Sequence, residues 1–211
     1  METTASTTTS LASVTLEVAD VEAARRFYSA FGVGAHVRLR PSEAHTTGFR
    51  GFTLGLTVAN PATVDGFFTA AVDAGATVLK PATKSLWGYG GVVRAPDGTI
   101  WKIATSEKKN TAPDTGRIDE IVLLLGVEAV KTTRQFYTDR GLTVAKSFGS
   151  KYVEFAAGPT TPVKLALYKR RALAKDLGVP VDGTGSHRVV LGSTTDSFTD
   201  PDGFLWEPAA A

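Results

Sequence analysis

The feature that most constrains the fold of this chain is an internal repeat. The segment Pro96–Lys102 reads PDGTIWK, and PDGFLWE follows at Pro201–Glu207, 105 residues later in a chain of 211. A second pair matches more loosely: Val21–Tyr28 and Val127–Tyr137 both run from Val-Glu-Ala to Phe-Tyr, and the second is longer by three residues. Self-similarity at half the chain length predicts a duplicated structural unit.

Strand and helix patterns recur in the same order in the two halves. Apolar and polar residues alternate in Ser13–Ala19, which predicts a half-buried strand, and Asp20 is a suitable N-cap for the helix that follows. Asn60 and Pro61 mark the start of a second helix, because proline is favoured at the first helical position. Each Pro-Asp-Gly turn is expected to join closing strands as a hairpin.

The predicted organisation is a tail, two halves and a linker. Residues 1–12 are rich in Thr and Ser and are expected to be a disordered tail, without the basic and apolar regions of a signal peptide. The halves span residues 13–105 and 117–211, and residues 106–116 form the linker. The absence of cysteine and of long apolar runs leads us to expect a cytoplasmic protein with no membrane partner.

The charge balance bears on the partners of the chain. With 23 basic and 21 acidic residues, the formal net charge is only +2, and basic residues occur in short clusters. Such a chain does not produce the positive field that nucleic acids require. We therefore expect a small-molecule ligand and no nucleic-acid partner, and we leave open whether the chain forms a homodimer.

The order of these motifs resembles that of the glyoxalase/bleomycin-resistance/dioxygenase superfamily, which has the vicinal oxygen chelate fold. The segments Gly51–Leu54, Trp87–Gly91, Ala95–Gly98 and Phe198–Glu207 look like those of actinobacterial members. The resemblance implies an α+β fold of tandem βαβββ units that form curved, cup-like mixed sheets, with helices on the convex face. The two middle units look complete, so either each half closes its own cup or the complete units pair across the linker.

In that superfamily, a His on the first strand of a unit and a Glu on the last strand supply metal ligands. The matching last-strand positions of this chain hold Lys102 and Glu207, and the first-strand positions hold Ser13, Thr53, Glu120 and Arg188. Protonated lysine has no lone pair, and hydroxyl groups are poor ligands for transition metals. We therefore expect no cofactor, and we expect Lys102 to face the concave side and to pair with Glu17 or Glu120.

Two arrangements of the second half remain open. Strand alternation predicts that Glu120, Arg188 and Glu207 face the cup and meet as a charge cluster at the floor of the ligand site, since guanidinium groups pair well with carboxylates. Alternatively, a register slip of one residue brings His187 into the cup. Glu120, Glu207 and His187 would then hold a divalent ion such as Zn, Fe, Mn or Ni.

These residues give three functional hypotheses. In the first, the cup binds a small, partly aromatic organic molecule without a metal, with Thr53 and Lys102 on its wall and Trp87 and Tyr89 at its mouth. In the second, the protein is a metal-dependent lyase, isomerase or dioxygenase that uses the second half. In the third, Glu207 is the general base of a metal-free enzyme, and His187 is a further candidate catalytic residue.

Overall fold

The computed structural model of the chain describes residues 9–158 and 161–209. The predicted tail therefore lies largely outside the described residues. No helix in the described ranges is long and apolar enough to cross a membrane, and the longest has 13 residues.

The fold is a mixed α+β arrangement in which strands outnumber helices. The helices are α1 (Val21–Phe31), α2 (Pro61–Asp73), α3 (Val130–Thr138) and α4 (Arg170–Leu177), with a short 3-10 turn at Gly34–His36. The strands are β1 (Leu11–Val18), β2 (Arg38–Pro41), β3 (Thr46–Gly48), β4 (Phe52–Thr57), β5 (Thr77–Ser85), β6 (Gly88–Arg94), β7 (Ile100–Thr105), β8 (Glu120–Val127), β9 (Val144–Phe148), β10 (Tyr152–Phe155), β11 (Val163–Lys169), β12 (Gly183–Gly185), β13 (Val189–Ser193), β14 (Phe198–Thr199) and β15 (Leu205–Pro208).

The complete middle units pair with each other across the linker. Their strands form an eight-stranded sheet in the order β5-β6-β7-β4-β8-β11-β10-β9, with β4 and β8 antiparallel at its centre. The shortened first and last units pair in the same way, in the five-stranded order β14-β15-β13-β1-β2. Each large sheet therefore contains strands from both halves, and this selects the second of the two arrangements left open by the sequence.

The helix starts follow from local capping. The Asp20 side chain accepts a hydrogen bond from the backbone N–H of Ala23, and the Asn60 side chain accepts one from Thr63. Helix α1 ends at Gly32, whose φ of 86° is left-handed, a conformation that glycine adopts without strain.

Each Phe-Tyr helix is tied to a closing hairpin by its tyrosine. The Tyr28 hydroxyl donates to Asp97 at 2.6 Å, and the Tyr137 hydroxyl donates to Asp200 at 2.7 Å. Burial, followed by the nearby carboxylate, raises the pKa of both phenols well above its ordinary value. Trp101 and Trp206 are fully buried beside these tyrosines and belong to the core.

Helix α4 lies on the opposite face of the eight-stranded sheet from α2. Val93, Trp101 and Leu123 belong to the main core, which also contains the buried residues of α2. Their immediate neighbours in sequence, among them Val92 and Ile100, pack instead with Leu173 and Leu177 of α4 in a second core. Because successive residues of a strand face opposite sides, α4 covers part of the concave face.

Candidate functional site

The concave face of the eight-stranded sheet contains a cavity of about 360 Å³, between the β5–β6 hairpin, β7 and the end of α4. Its wall includes Lys80, Trp87, Gly90, Lys102, Ala104 and Asp176. Glycine is needed on β6, because a Cβ at Gly90 would lie 2.6 Å from the Ile103 carbonyl oxygen. The Gly-rich sequence of β6 therefore lets this strand approach β7 closely and leaves room above it.

An ion pair joins the cavity wall to α4. Lys102 Nζ lies 2.6 Å from a carboxylate oxygen of Asp176, and both side chains are partly exposed. Lys80 donates to the carbonyl oxygens of Lys175 and Asp176, at the C-terminal end of α4, where a cation is favourable. The predicted pairing of Lys102 with Glu17 or Glu120 is wrong, because α4 places a nearer carboxylate above β7.

The two aromatic residues of the Gly-rich segment differ in whether their side chains are free to contact a ligand. Trp87, at the tip of the β5–β6 hairpin, is 85% exposed. Tyr89 donates its hydroxyl to Asp65 of α2 at 2.7 Å, and this hydrogen bond is the main cause that raises its pKa to about 12. Both residues border the cavity, but the Tyr89 hydroxyl is held by α2 on the other face of the sheet, whereas the Trp87 ring has no such bond.

Thr53 does not line this cavity. It is buried, and its hydroxyl donates to the carbonyl oxygen of Ile100 at 2.8 Å. The hydroxyl therefore bridges β4 and the start of β7 instead of binding a ligand. The structure thus brings together Lys102, Trp87 and Tyr89 of the predicted wall, and adds Lys80 and Asp176, which sequence reasoning missed.

A charged cluster lies on the neighbouring strands of the same sheet. Lys164 donates to Glu120 and lies 3.5 Å from Glu154, which also accepts from the Tyr152 hydroxyl at 2.9 Å. The hydrogen bond to Glu120 is the main cause that raises the Lys164 pKa, and burial is the main cause that raises the Tyr152 pKa. We call Glu120, Lys164 and Glu154 the lysine cluster.

The lysine cluster is close to the cavity. On β4, Thr57 pairs with Ala104 of the cavity wall on one side and with Glu120 on the other. Neighbouring strands are about 4.8 Å apart, so Glu120 lies roughly 10 Å from Ala104 along the sheet. The concave face therefore carries an aromatic region and a charged region that are separated by β4.

The five-stranded sheet has a different charged cluster. Arg40 of β2 binds Glu17 of β1 at 2.8 Å and Glu207 of β15 at 2.7 Å. The hydrogen bond to Glu207 is the main cause that raises the Arg40 pKa. Glu17 is directly opposite Arg40 in the parallel β1–β2 pair. We call these three residues the arginine cluster.

The predicted cluster of Glu120, Arg188 and Glu207 does not form. Glu120 and Glu207 lie in different sheets, and among the described residues no ion pair joins Arg188 to either of them. Arg188 precedes β13 with a φ of 56°, and its guanidinium donates to the Ser42 carbonyl oxygen. Strand alternation therefore does not extend to Arg188, so the predicted register was wrong there.

His187 connects loops instead of joining the acids. Its ring stacks on Phe204 with 4.0 Å between ring centres. Nδ1 lies 2.5 Å from the Arg50 carbonyl oxygen, and Nε2 lies 3.1 Å from that of Asp202. Both ring nitrogens are thus engaged by backbone groups, and the alternative ligand set of Glu120, Glu207 and His187 is not assembled.

The side chains present do not fit the metal that the resemblance implies. Within residues 9–158 and 161–209 there is no group of three His, Asp or Glu side chains that could hold an ion. Glu120 and Glu207 are bound by cationic side chains, and Lys102 places a positive charge at the position where the resemblance implies a Glu ligand. A divalent ion would have to displace these cations before either acid could bind it.

Similarity to known proteins is visible in structure only. No protein-family model matches the sequence, and no curated protein matches it. Glyoxalase I from Zea mays superposes with a TM-score of 0.61 at 13% identity, over 94% of this chain and 91% of that chain. A Bacillus subtilis protein provisionally described as a dioxygenase gives a TM-score of 0.57 at 11% identity, over 94% and 84%.

A shorter protein corresponds to less than half of the chain. It is a glyoxalase/bleomycin resistance protein/dioxygenase family enzyme from Burkholderia phytofirmans, with 21% identity over 46% of this chain and 98% of that chain, at a TM-score of 0.41. The whole-chain similarities extend across both large sheets, and identities this low show the fold alone. This chain has the vicinal oxygen chelate fold of the glyoxalase/bleomycin-resistance/dioxygenase superfamily, as the resemblance in its sequence predicts.

Proposed function

We propose that the protein binds a small, partly aromatic organic molecule, without a metal, in the cavity on the concave face of the eight-stranded sheet. The observation that carries the proposal is the position of Trp87 on the wall of a cavity that also contains the Lys102–Asp176 ion pair. The ring and the ion pair supply an apolar surface and polar anchors for one ligand.

Trp87 is the aromatic part of this site. A large indole left 85% exposed contributes nothing to the core, and Leu86 beside it is also highly exposed. Such rings gain most when another flat apolar surface stacks on them. A ligand ring over Trp87 would remove apolar area from water on both partners.

Lys102 and Asp176 supply the polar anchors. Their side chains remain partly open to solvent, so each can still bind a ligand group besides its partner. The ammonium donates and the carboxylate accepts, which suits a ligand with hydroxyl or carboxyl groups. Ligand recognition in mostly apolar pockets by a few polar groups is the usual pattern for small molecules.

Tryptophan fluorescence offers a direct test. The chain has three tryptophans, and Trp101 and Trp206 are fully buried, so acrylamide quenching reports mainly on Trp87. We expect a panel of hydroxylated aromatic acids, added to protein dialysed against EDTA, to contain compounds that protect Trp87 from acrylamide. Lys102→Met should weaken such binding at least tenfold, because it removes a charged anchor but keeps the side-chain stem.

A matched control separates this site from general hydrophobic binding. Phe148 is the other strongly exposed aromatic residue, on the β9–β10 hairpin. Phe148→Ala should leave binding unchanged, whereas Trp87→Ala should weaken it when measured by calorimetry. Equal effects of the two changes would contradict the proposal. Binding only after addition of Zn²⁺, Fe²⁺, Mn²⁺ or Ni²⁺ would favour the metal-dependent lyase, isomerase or dioxygenase instead.

A further inference from the structure

A second cavity, outside the concave face just described, lies where the first unit meets the middle units. It measures about 250 Å³ and is bordered by the end of β1, the first turns of α1, the turn between β6 and β7, and the residue before β13. Its wall includes Ala23, Phe27, Arg50, Pro96 and Arg188. We propose that this cavity binds a small organic carboxylate through Arg50 and Arg188.

Both guanidinium groups have fewer hydrogen-bond acceptors than N–H donors. Arg50 Nη2 donates to the Asp97 carbonyl oxygen at 2.6 Å, and Arg188 Nη1 donates to that of Ser42. Arg50 Nη1 and Arg188 Nε are buried without any hydrogen-bond partner. A guanidinium has five N–H donors, and buried donors are rarely left unpaired. Both guanidinium groups are therefore incompletely hydrogen-bonded, and both side chains line the same cavity.

The two positive charges are also close together and partly removed from water. Burial is the main cause that lowers the Arg50 pKa; the nearby Asp97 carboxylate opposes this effect, and the charge of Arg188 adds to it. No described carboxylate forms an ion pair with either guanidinium. A bound anion would relieve this repulsion and supply the missing acceptors.

The acids on the cavity wall already have donors of their own. Glu17 accepts from Arg40, and Asp97 accepts from the Tyr28 hydroxyl. Asp20 caps α1, where the positive end of the helix dipole favours its charge. The Asp97 carboxylate offsets part of the Arg50 charge, but among the described residues no ion pair neutralises either guanidinium, and this favours an anionic ligand over a cationic one.

The backbone of Arg188 gives independent support. Among the described residues, Arg188 is the only non-glycine residue with a positive φ, at 56°. Side chains with a Cβ are disfavoured in this region, which glycine adopts freely. Strained positions of this kind cluster at binding sites, where the side chain has a role that the strain does not remove. Arginine at this position is therefore explained by its guanidinium and not by its backbone preference.

The apolar part of the wall decides between an organic and an inorganic anion. Phe27, Ala23, Ala24 and Pro96 form a surface that gives a bare phosphate no partner. A carboxylate with a short hydrocarbon portion can place its oxygens on the guanidinium fork and its carbons on this surface. A volume near 250 Å³ corresponds to roughly eight water molecules, which matches a ligand of about the size of benzoate.

The test uses acetate, butyrate, benzoate and inorganic phosphate as probes of the full chain, by calorimetry and by the shift in melting temperature. We expect affinity to rise from acetate to butyrate and benzoate, and phosphate to bind more weakly than benzoate. Arg188→Gly should reduce benzoate affinity at least tenfold and leave the unliganded protein as stable as before or more stable, because glycine relieves the positive φ.

Arg188→Asn is a second variant that tolerates the left-handed backbone if the glycine variant does not fold. Arg26→Ala, at an exposed position of α1, removes the same charge and should not change benzoate binding. Trp87→Ala should leave the binding of butyrate unchanged, because butyrate has no ring to stack on the indole, so failure at this site is distinguishable from failure of the proposed function. Absence of carboxylate binding, binding that survives both Arg188 changes, or phosphate binding as tight as that of benzoate would overturn the proposal.

Discussion

The two large sheets of this protein place the same kind of charge group on equivalent surfaces. In the lysine cluster, Lys164 lies between Glu120 and Glu154. In the arginine cluster, Arg40 lies between two glutamates of the other sheet. Two acids and one cation thus occur in both places.

The clusters differ in the chemistry of the cation and in burial. Arg40 makes four hydrogen bonds, at 2.7 to 3.3 Å, to its two acids. Lys164 binds Glu120 closely but lies 3.5 Å from Glu154, which is only 4% exposed. The planar guanidinium satisfies both of its acids, whereas the single ammonium leaves the buried acid dependent on weaker contacts. We expect the more buried cluster to contribute more to the free energy of unfolding, even though it has fewer hydrogen bonds.

The largest expected effect is the loss of the lysine. Lys164→Met keeps the side-chain stem but removes the charge, so among the described residues the buried Glu154 retains Tyr152 and Lys146, which is equally distant but more exposed to solvent than Lys164. We expect the free energy of unfolding at pH 7 to fall by about 2 kcal/mol, because an acid left without its partner in a buried position is costly. Urea denaturation measures this. Lys151→Met, at an exposed position, is the control, and an equal effect there would contradict the comparison.

The arginine cluster should tolerate the matching change better. Arg40→Met leaves Glu17 and Glu207 without their guanidinium, but the Arg40 and Glu207 side chains are more than one third exposed, so water replaces much of the lost interaction. We expect a decrease of about 1 kcal/mol in the same urea experiment. A larger decrease in the free energy of unfolding for Arg40→Met than for Lys164→Met would show that the hydrogen-bond geometry of the guanidinium matters more than burial.

Alkaline pH should separate the two cations. The Lys164 pKa is raised in the folded protein, so its stabilisation is complete below the ordinary lysine pKa and is lost as pH rises through the folded value. The Arg40 pKa is also raised, from a value too high to titrate in this range. Above about pH 10.5, the difference in stability between the native protein and Lys164→Met should therefore shrink, while that for Arg40→Met stays constant. If both stability differences changed with pH in the same way, the loss above about pH 10.5 could not be assigned to the titration of Lys164.

The sequence predicts the fold well because its signals are local or repeated. Capping at Asp20 and Asn60, strand alternation and the two Pro-Asp-Gly turns predict the order of elements without any knowledge of long-range contacts. The pairing of the units is harder to predict from sequence, because no local signal in β4 or β8 indicates which strand will lie beside it. The relative completeness of the four units suggested the observed arrangement but did not decide it.

The candidate site was predicted only in part for the same reason. Lys102 and Trp87 can be predicted as site residues from the Pro-Asp-Gly turn and the Gly-rich segment in which they lie. Asp176 cannot, because it reaches Lys102 only where α4 folds back over the sheet. The sequence predicts an arginine as the partner of Glu207, but that arginine is Arg40 and not Arg188. Glu17 alternates with the apolar residues of β1, and this signal could have identified it as a partner of that arginine.

The smallest expected effect is also the sharpest test of whether the two clusters are separate. If Glu120 and Glu207 shared one arginine, as their sequence pattern predicts, changing both would show a coupling energy of roughly 1 to 3 kcal/mol in a double-mutant cycle. In the structure they bind different cations in different sheets, so the effects of Glu120→Gln and Glu207→Gln should add to within about 0.5 kcal/mol. As an internal control, Glu207→Gln and Arg40→Met should couple strongly, because these residues are in contact. A cycle in which Glu120 couples to Glu207 as strongly as Arg40 does would mean that the two acids meet in solution and that the clusters are not independent.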